Sequence, residues 1–171
     1  MELEAILYQI DSGDMALPEF QRGYVWNRDQ VRGLMTSLYR RYPVGSLLVW
    51  VTPTESAPVR SGAKPTAISV RMLLDGQQRI TTLYGIIKGK PPKFFEGDIK
   101  AFTQLRFHLV SEAFEFYAPA KMAKDPLWID VTALMKEGLA PLFHGKDSLR
   151  PKAPADVVRR VGDMSTGPQP V

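Results

Sequence analysis

The sequence predicts a single domain of mixed helices and strands, and three observations predict it. Apolar residues recur at helical spacing behind Asn27 and again behind Gly76. Two apolar runs of strand length occupy residues 46–52 and 67–75. Two stretches of alternating polarity, 104–110 and 113–118, flank a Ser111-Glu112 turn as a hairpin does. The chain has 171 residues, 44% hydrophobic and 23% charged, which is enough to bury one core.

The elements follow in order. Residues 4–10 read as a short helix with Leu3, Ile6, Leu7 and Ile10 on one side, ended by Ser12-Gly13-Asp14. Residues 15–17 can open a strand that Pro18 confines to an edge or an exit. After the irregular stretch "PEFQRGYVW", Asn27 offers an N-cap with Gln30 at capping-box spacing. Val31, Leu34, Met35, Leu38 and Tyr42 mark a helix over 28–41, stopped by Pro43. The run 46–52 suits a buried strand, 53–66 is a loop with four prolines or glycines, and 67–75 is a second central strand. Ile80, Leu83, Tyr84 and Ile87 mark a helix ending near Gly89 and Pro91-Pro92. Residues 128–138 combine a strand end with a short helix capped by Asp130 or Thr132. Beyond about residue 145 hydrophobicity falls and Pro and Gly rise. The expected organisation is a domain over 1–145 and a weakly ordered tail over 146–171.

Composition excludes several classes. With no cysteine, disulfides and thiolate metal sites are out, and a reducing cytoplasm is the expected setting. No apolar run is long enough to span a membrane, and the acidic, amphipathic N-terminus lacks a signal-peptide pattern. A net charge of +4 tolerates a polyanion without requiring one. Lys146, Arg150, Lys152, Arg159 and Arg160 form a mild basic cluster, which reads as a solvated face or a nucleic-acid contact.

Two stretches carry candidate chemistry. In Asp75-Gly76-Gln77-Gln78-Arg79 a strand becomes a helix. One reading makes Asp75 an ordinary N-cap and Gln78 the far half of a capping box. The other starts from Arg79, a cation in the first helical turn, where the macrodipole disfavours it. A bound anion beside the free backbone N–H groups compensates such a charge, and Gly76 lets a ligand approach the backbone. This is not a Walker A loop, because its spaced glycines and Gly-Lys-Ser/Thr ending are missing. The second stretch, residues 18–26, pairs Gln21 with Arg22 among Phe20, Tyr24 and Trp26. Either the aromatics cover the sheet end while Arg22 pairs with Glu19 or Asp75, or Arg22 is a second phosphate clamp and an aromatic stacks on a base.

The blocks "LPEFQRGYVWNRDQV", "YPVGSLLVW" and "LLDGQQRITTLYGI" resemble, in order and spacing, the signatures of the N-terminal domain family of GmrSD-type, modification-dependent restriction endonucleases. The match is close over residues 3–90 and looser through "LWIDVTAL". The resemblance implies an α+β, ParB/sulfiredoxin-like mixed sheet with flanking helices. It also implies a nucleotide-binding, NTP-hydrolysing regulatory domain in bacterial defence against phage DNA. Gln21, Arg22, Gly76, Gln77, Gln78 and Arg79 would then bind a nucleoside triphosphate. Asp75, Gln78 and Arg79 would be catalytic, with Asp75 holding Mg²⁺. A nuclease domain or subunit would be the partner. His108, expected on an outer strand face, and His144 are too few and too unlinked for a nuclease centre, so no DNA cleavage is expected of this chain alone. The alternatives are a DNA-binding module, with Arg28, Arg32, Arg40 and Arg41 extending the contact, or a protein-interaction domain.

Overall fold

A computed structural model describes residues 3–59, 68–143 and 154–166. In chain order the main elements are α1 (Leu3–Ser12), β1 (Met15–Ala16), α2 (Arg28–Tyr39), β2 (Leu48–Pro53), β3 (Ser69–Asp75) and α3 (Gln77–Lys88). Then come β4 (Leu105–His108), β5 (Ala113–Phe116), α4 (Pro119–Met122), β6 (Trp128–Asp130), α5 (Val131–Glu137), α6 (Ala140–Phe143) and α7 (Ala155–Thr166). The fold is α+β, as expected. It divides into two compact units, one of Met1–Trp26, Gly45–Gly85 and Lys90–Ile99, the other of Asn27–Val44, Ile86–Gly89 and Lys100–Val171. Among the described residues no helix is long and apolar enough to cross a membrane.

The first unit holds a three-stranded mixed sheet in the order β1-β3-β2. β1 runs parallel to β3 (Ala16 opposite Met72), and β2 runs antiparallel to it (Trp50 opposite Met72, Thr52 opposite Val70). β3 is central, with Val70, Met72 and Leu73 buried. β1 is an edge, as Pro18 predicts, and Pro18 itself bridges to Val59. The expectation of a buried strand over 46–52 is corrected. β2 is the other edge, with Leu48 58%, Trp50 46% and Val51 59% exposed. Apolarity reports β propensity; it does not say whether a strand has one neighbour or two. In α3 the residues Ile80, Thr81, Thr82, Leu83, Tyr84 and Ile86 are all buried, so this is a core helix and not a surface one. The Tyr84 hydroxyl donates to Asp11 at the end of α1. Residues 60–66, half of the 53–66 loop, lie outside the described residues.

The second unit is built on α2. Its capping box forms as the sequence reads: Asn27 Oδ1 accepts from the N–H groups of Asp29 and Gln30, and Gln30 Oε1 accepts from Asn27 N–H at 3.0 Å. The helix stops at Tyr39, which is buried, while Tyr42 lies beyond it and is exposed. Arg41 turns the chain with φ 57°, and Tyr42 N–H donates to Ser37 O at 2.8 Å, closing the C-terminus earlier than the apolar spacing suggests. The hairpin is present: β4 and β5 pair antiparallel (Phe107 opposite Phe114), and β6 pairs with the other side of β4. Tyr39, Phe107 and Phe114 form a ring cluster with centroids 4.8–6.1 Å apart. His108 lies on the face of β4 opposite buried Phe107, as expected, and is partly covered there. Its Nε2 stands 3.2 Å from Asp125, and its ring lies 4.8 Å from that of Trp128. Asp130, and not Thr132, caps α5 through Ala133 N–H. Within the stretch expected to be weakly ordered, α7 forms and buries Val157 and Val161.

Candidate functional site

Asp75 ends β3, and Gly76 makes the turn into α3 with φ 93°. A Cβ on Gly76 would run into the Leu47 side chain, so only glycine fits both the angle and the space. Ile80 N–H donates to Gly76 O at 3.0 Å, the first helical bond. The preceding N–H groups of the first turn therefore have no intrahelical partner.

The loop before α2 is stitched onto this turn by side-chain amides. Gln21 Nε2 donates to Leu74 O at 2.8 Å, and Gln77 Nε2 donates to Arg22 O at 2.9 Å. Gln78 works from both ends: Nε2 donates to Gly23 O at 3.2 Å, while Oε1 accepts from Val25 N–H at 2.9 Å and Trp26 N–H at 3.3 Å. Neither capping-box half appears at α3, since Gln78 faces the loop and the Asp75 carboxylate meets Arg79. Thr82 Oγ1 donates to Gln78 O, which leaves the Tyr24 hydroxyl as donor to Thr82 at 2.7 Å. Burial pushes the Tyr24 phenol above its ordinary pKa, and the Thr82 bond acts the other way.

Arg79 is held by a backbone carbonyl and a carboxylate. Its Nη2 donates to Ser46 O at 2.7 Å and lies 3.2 Å from Asp75 Oδ2. Its side chain is 17% exposed, while that of Asp75 is 72% exposed. A cation in the first turn costs about 0.3–1 kcal/mol against the helix dipole. An ion pair with so exposed a partner returns about 0–1 kcal/mol, so the two roughly cancel. Arg22 is exposed and has no ion pair among the described residues.

These groups enclose a cleft of about 240 Å³ lined by Gln21, Arg22, Trp26 and residues 74–79. Its charged lining is two guanidinium groups and one carboxylate, beside a helix N-terminus. The volume is below the roughly 300–1,000 Å³ usual for an enclosed ligand pocket. Guanidinium groups beside a helix N-terminus can accept an anion.

All the motif residues singled out from the sequence, Gln21, Arg22 and Asp75 to Arg79, meet at this cleft. Of the neighbouring aromatics only Trp26 lines it. Tyr24 is buried and Phe20 is 73% exposed. Sequence reasoning missed Gly45 and Ser46. Ser46 supplies the carbonyl that accepts from Arg79, and a Cβ on Gly45 would stand 2.6 Å from Arg79 Nη1. The available signal was Pro43-Val44-Gly45 after a helix, a turn pattern without visible chemistry. In the second unit Arg28 donates to Lys100 O and packs on Phe116, Arg32 pairs with Asp29, and Arg41 pairs with Asp163. Among the described residues no three His, Asp or Glu side chains gather to hold a metal ion, and His144 lies outside them.

Fold and site together define an α+β domain with a basic cleft at a strand-to-helix turn. The chain belongs to the family described as "GmrSD restriction endonuclease, N-terminal domain", which it matches over residues 3–139. It is also similar to an uncharacterized protein of Methanocaldococcus jannaschii, 33% identical over 82 residues. That alignment covers 42% of this chain and 14% of the relative.

Proposed function

We propose that this chain is a nucleotide-binding regulatory domain of a restriction system directed against foreign DNA, and that a nucleoside triphosphate occupies the cleft at Asp75 to Arg79. The observation that carries this reading is the convergence of Arg22 and Arg79 on the N-terminus of α3, where Asp75 is the one carboxylate among the described residues lining the cleft. Guanidinium groups and backbone N–H groups are the donors that phosphate oxygens accept best. Trp26 lines the cleft and is an aromatic on which a base or ribose would pack. The nuclease centre belongs to another domain or subunit.

Each residue then has a task. Arg79 and Arg22 hold phosphate oxygens, and the N–H groups at the start of α3 cradle them. Gln21, Gln77 and Gln78 keep the Arg22–Trp26 loop against the cleft through their amide bonds to backbone. Mg²⁺ fits this donor set in one way. A single exposed carboxylate, Asp75, suits an ion that arrives on the phosphates and keeps most of its waters. Such an ion would neutralise phosphate charge. Hydrolysis would require Asp75 to orient a water, with positioning and charge stabilisation doing most of the work.

Isothermal titration with ATP, GTP, CTP and UTP in Mg²⁺, on wild type and Arg79→Ala, tests the reading. We expect saturable binding by wild type at one site and binding about ten- to a hundredfold weaker in the variant. Equal binding by both proteins, or none by wild type, would overturn it.

A further inference from the structure

Gly45 and Ser46 are not among the residues lining the cleft, yet they touch the residue on which the cleft depends. Gly45 has φ 87°, a conformation that favours glycine. A Cβ there would stand 2.6 Å from Nη1 and 3.3 Å from Cζ of Arg79. On the other side, a Cβ on Gly76 would stand 3.3 Å from Nη2 of the same guanidinium. The guanidinium therefore lies in a slot between two side-chain-free backbone turns, and Ser46 O accepts from it at 2.7 Å. Nothing else within 4 Å of a Gly45 Cβ is nearer than Arg79, so the atoms that would yield to a side chain are those of the arginine.

We propose that Gly45 is a positioning residue of the anion site: its bare backbone lets the Arg79 guanidinium pack close against it and donate to Ser46 O, and so fixes it on the cleft wall. A side chain at Gly45 would pry Arg79 off Ser46 O while leaving the sheet and α3 in place. Gly45 touches no ligand itself and acts through Arg79. The inference rests on the reading of the cleft as a triphosphate site for its affinity arm, and on geometry alone for its spectroscopic arm.

The test uses the full chain with Gly45→Ala, Gly45→Asn, Arg79→Ala and the two double variants. Asn is included because it tolerates positive φ better than Ala and still brings a Cβ. With Mg·ATP as probe, each Gly45 variant should weaken binding by about tenfold or more, and Gly45→Asn should add nothing on the Arg79→Ala background. Such complete non-additivity marks residues acting as one unit, whereas an independent structural effect would repeat itself in the double variant. The second arm reads the Arg79 Nε–H resonance by NMR without ligand. It should be dispersed in wild type and move to the position of solvent-exposed arginines in Gly45→Asn.

An unmoved Arg79 signal in Gly45→Asn, wild-type affinity in both Gly45 variants, additive losses, or failure of both Gly45 variants to fold would each overturn the proposal. Absence of ATP binding by wild type would overturn the nucleotide reading instead. The spectroscopic arm would still decide whether Gly45 seats Arg79.

Discussion

Each unit of this protein carries a cleft lined by arginines, and the two clefts differ in what the arginines meet. In the second unit a cleft of about 420 Å³ is lined by Tyr39, residues 40–42, Glu112 and Arg160. Arg160 contacts Glu112 at 3.0 Å and Asp156 at 2.9 Å and lies 5.2 Å over the Tyr39 ring. Arg41 is bonded to Asp163, and the Tyr39 hydroxyl donates to Glu112 at 2.8 Å. Burial, then the bond to Glu112 and its charge, hold the Tyr39 phenol well above its ordinary pKa. The first unit's cleft is smaller, but among the described residues lining it Arg22 and Arg79 meet a single carboxylate beside the N-terminus of α3. Size therefore does not decide which cleft is the better candidate for an anion. The second cleft has already spent most of its charge on holding α7 and the β4–β5 turn, whereas the first keeps a surplus of donors.

The largest expected effect belongs to the second unit's core. Phe107→Ala removes the centre of its ring cluster and should cost about 3–5 kcal/mol in urea unfolding. Next comes the charge contrast itself. Arg79→Ala should weaken triphosphate binding by about 1.5–3 kcal/mol, roughly ten- to a hundredfold, whereas Arg160→Ala should leave that affinity unchanged by calorimetry. Loss of affinity in Arg160→Ala would break the comparison. Gln78→Ala strips three bonds from the Gly23–Trp26 backbone and should cost about 1–3 kcal/mol. A red shift of tryptophan emission would report the loop moving into solvent.

The smallest effect at neutral pH is Tyr84→Phe, about 1 kcal/mol. Its pH dependence is the sharper readout. Burial first, then the bond to Asp11 and its charge, push the Tyr84 pKa up to about 12, from an ordinary 10.0. The folded state holds this proton more tightly than the unfolded chain does. The stabilisation is complete below the unfolded pKa and is lost as pH rises through that window toward the folded value. Tyr84→Phe should flatten that alkaline fall, and an unchanged slope would assign it elsewhere.

Local signals were legible in the sequence wherever one residue type settles the geometry. Asn27 and Gln30 announced the α2 cap, the Ser111-Glu112 turn announced the hairpin, and the grouping of Gln21 and Arg22 with Asp75 to Arg79 announced the cleft. What stayed hidden depends on neighbours far along the chain. The exposure of Trp50 follows from the place of β2 at the sheet edge, which an apolar run does not encode. The end of α2 at Tyr39 depends on Arg41 adopting positive φ, an uncommon choice for a non-glycine residue. The helical face of α7, Val157 and Val161, sat in a stretch whose prolines and glycines read as tail. The two glutamines of the motif looked like ligand donors, but their partners are backbone atoms more than fifty residues away in sequence. Gly45 was invisible because its contribution is an absence of atoms beside Arg79.

Backbone amide NMR during titration with Mg·ATP tests the central claim most directly. The account predicts that the resonances of Gly76, Gln77, Gln78 and Arg79, with the Trp26 indole, shift first and saturate together. Shifts confined to the end of α2 and to α7 around Arg41 and Arg160, or no saturable shift at all, would contradict it.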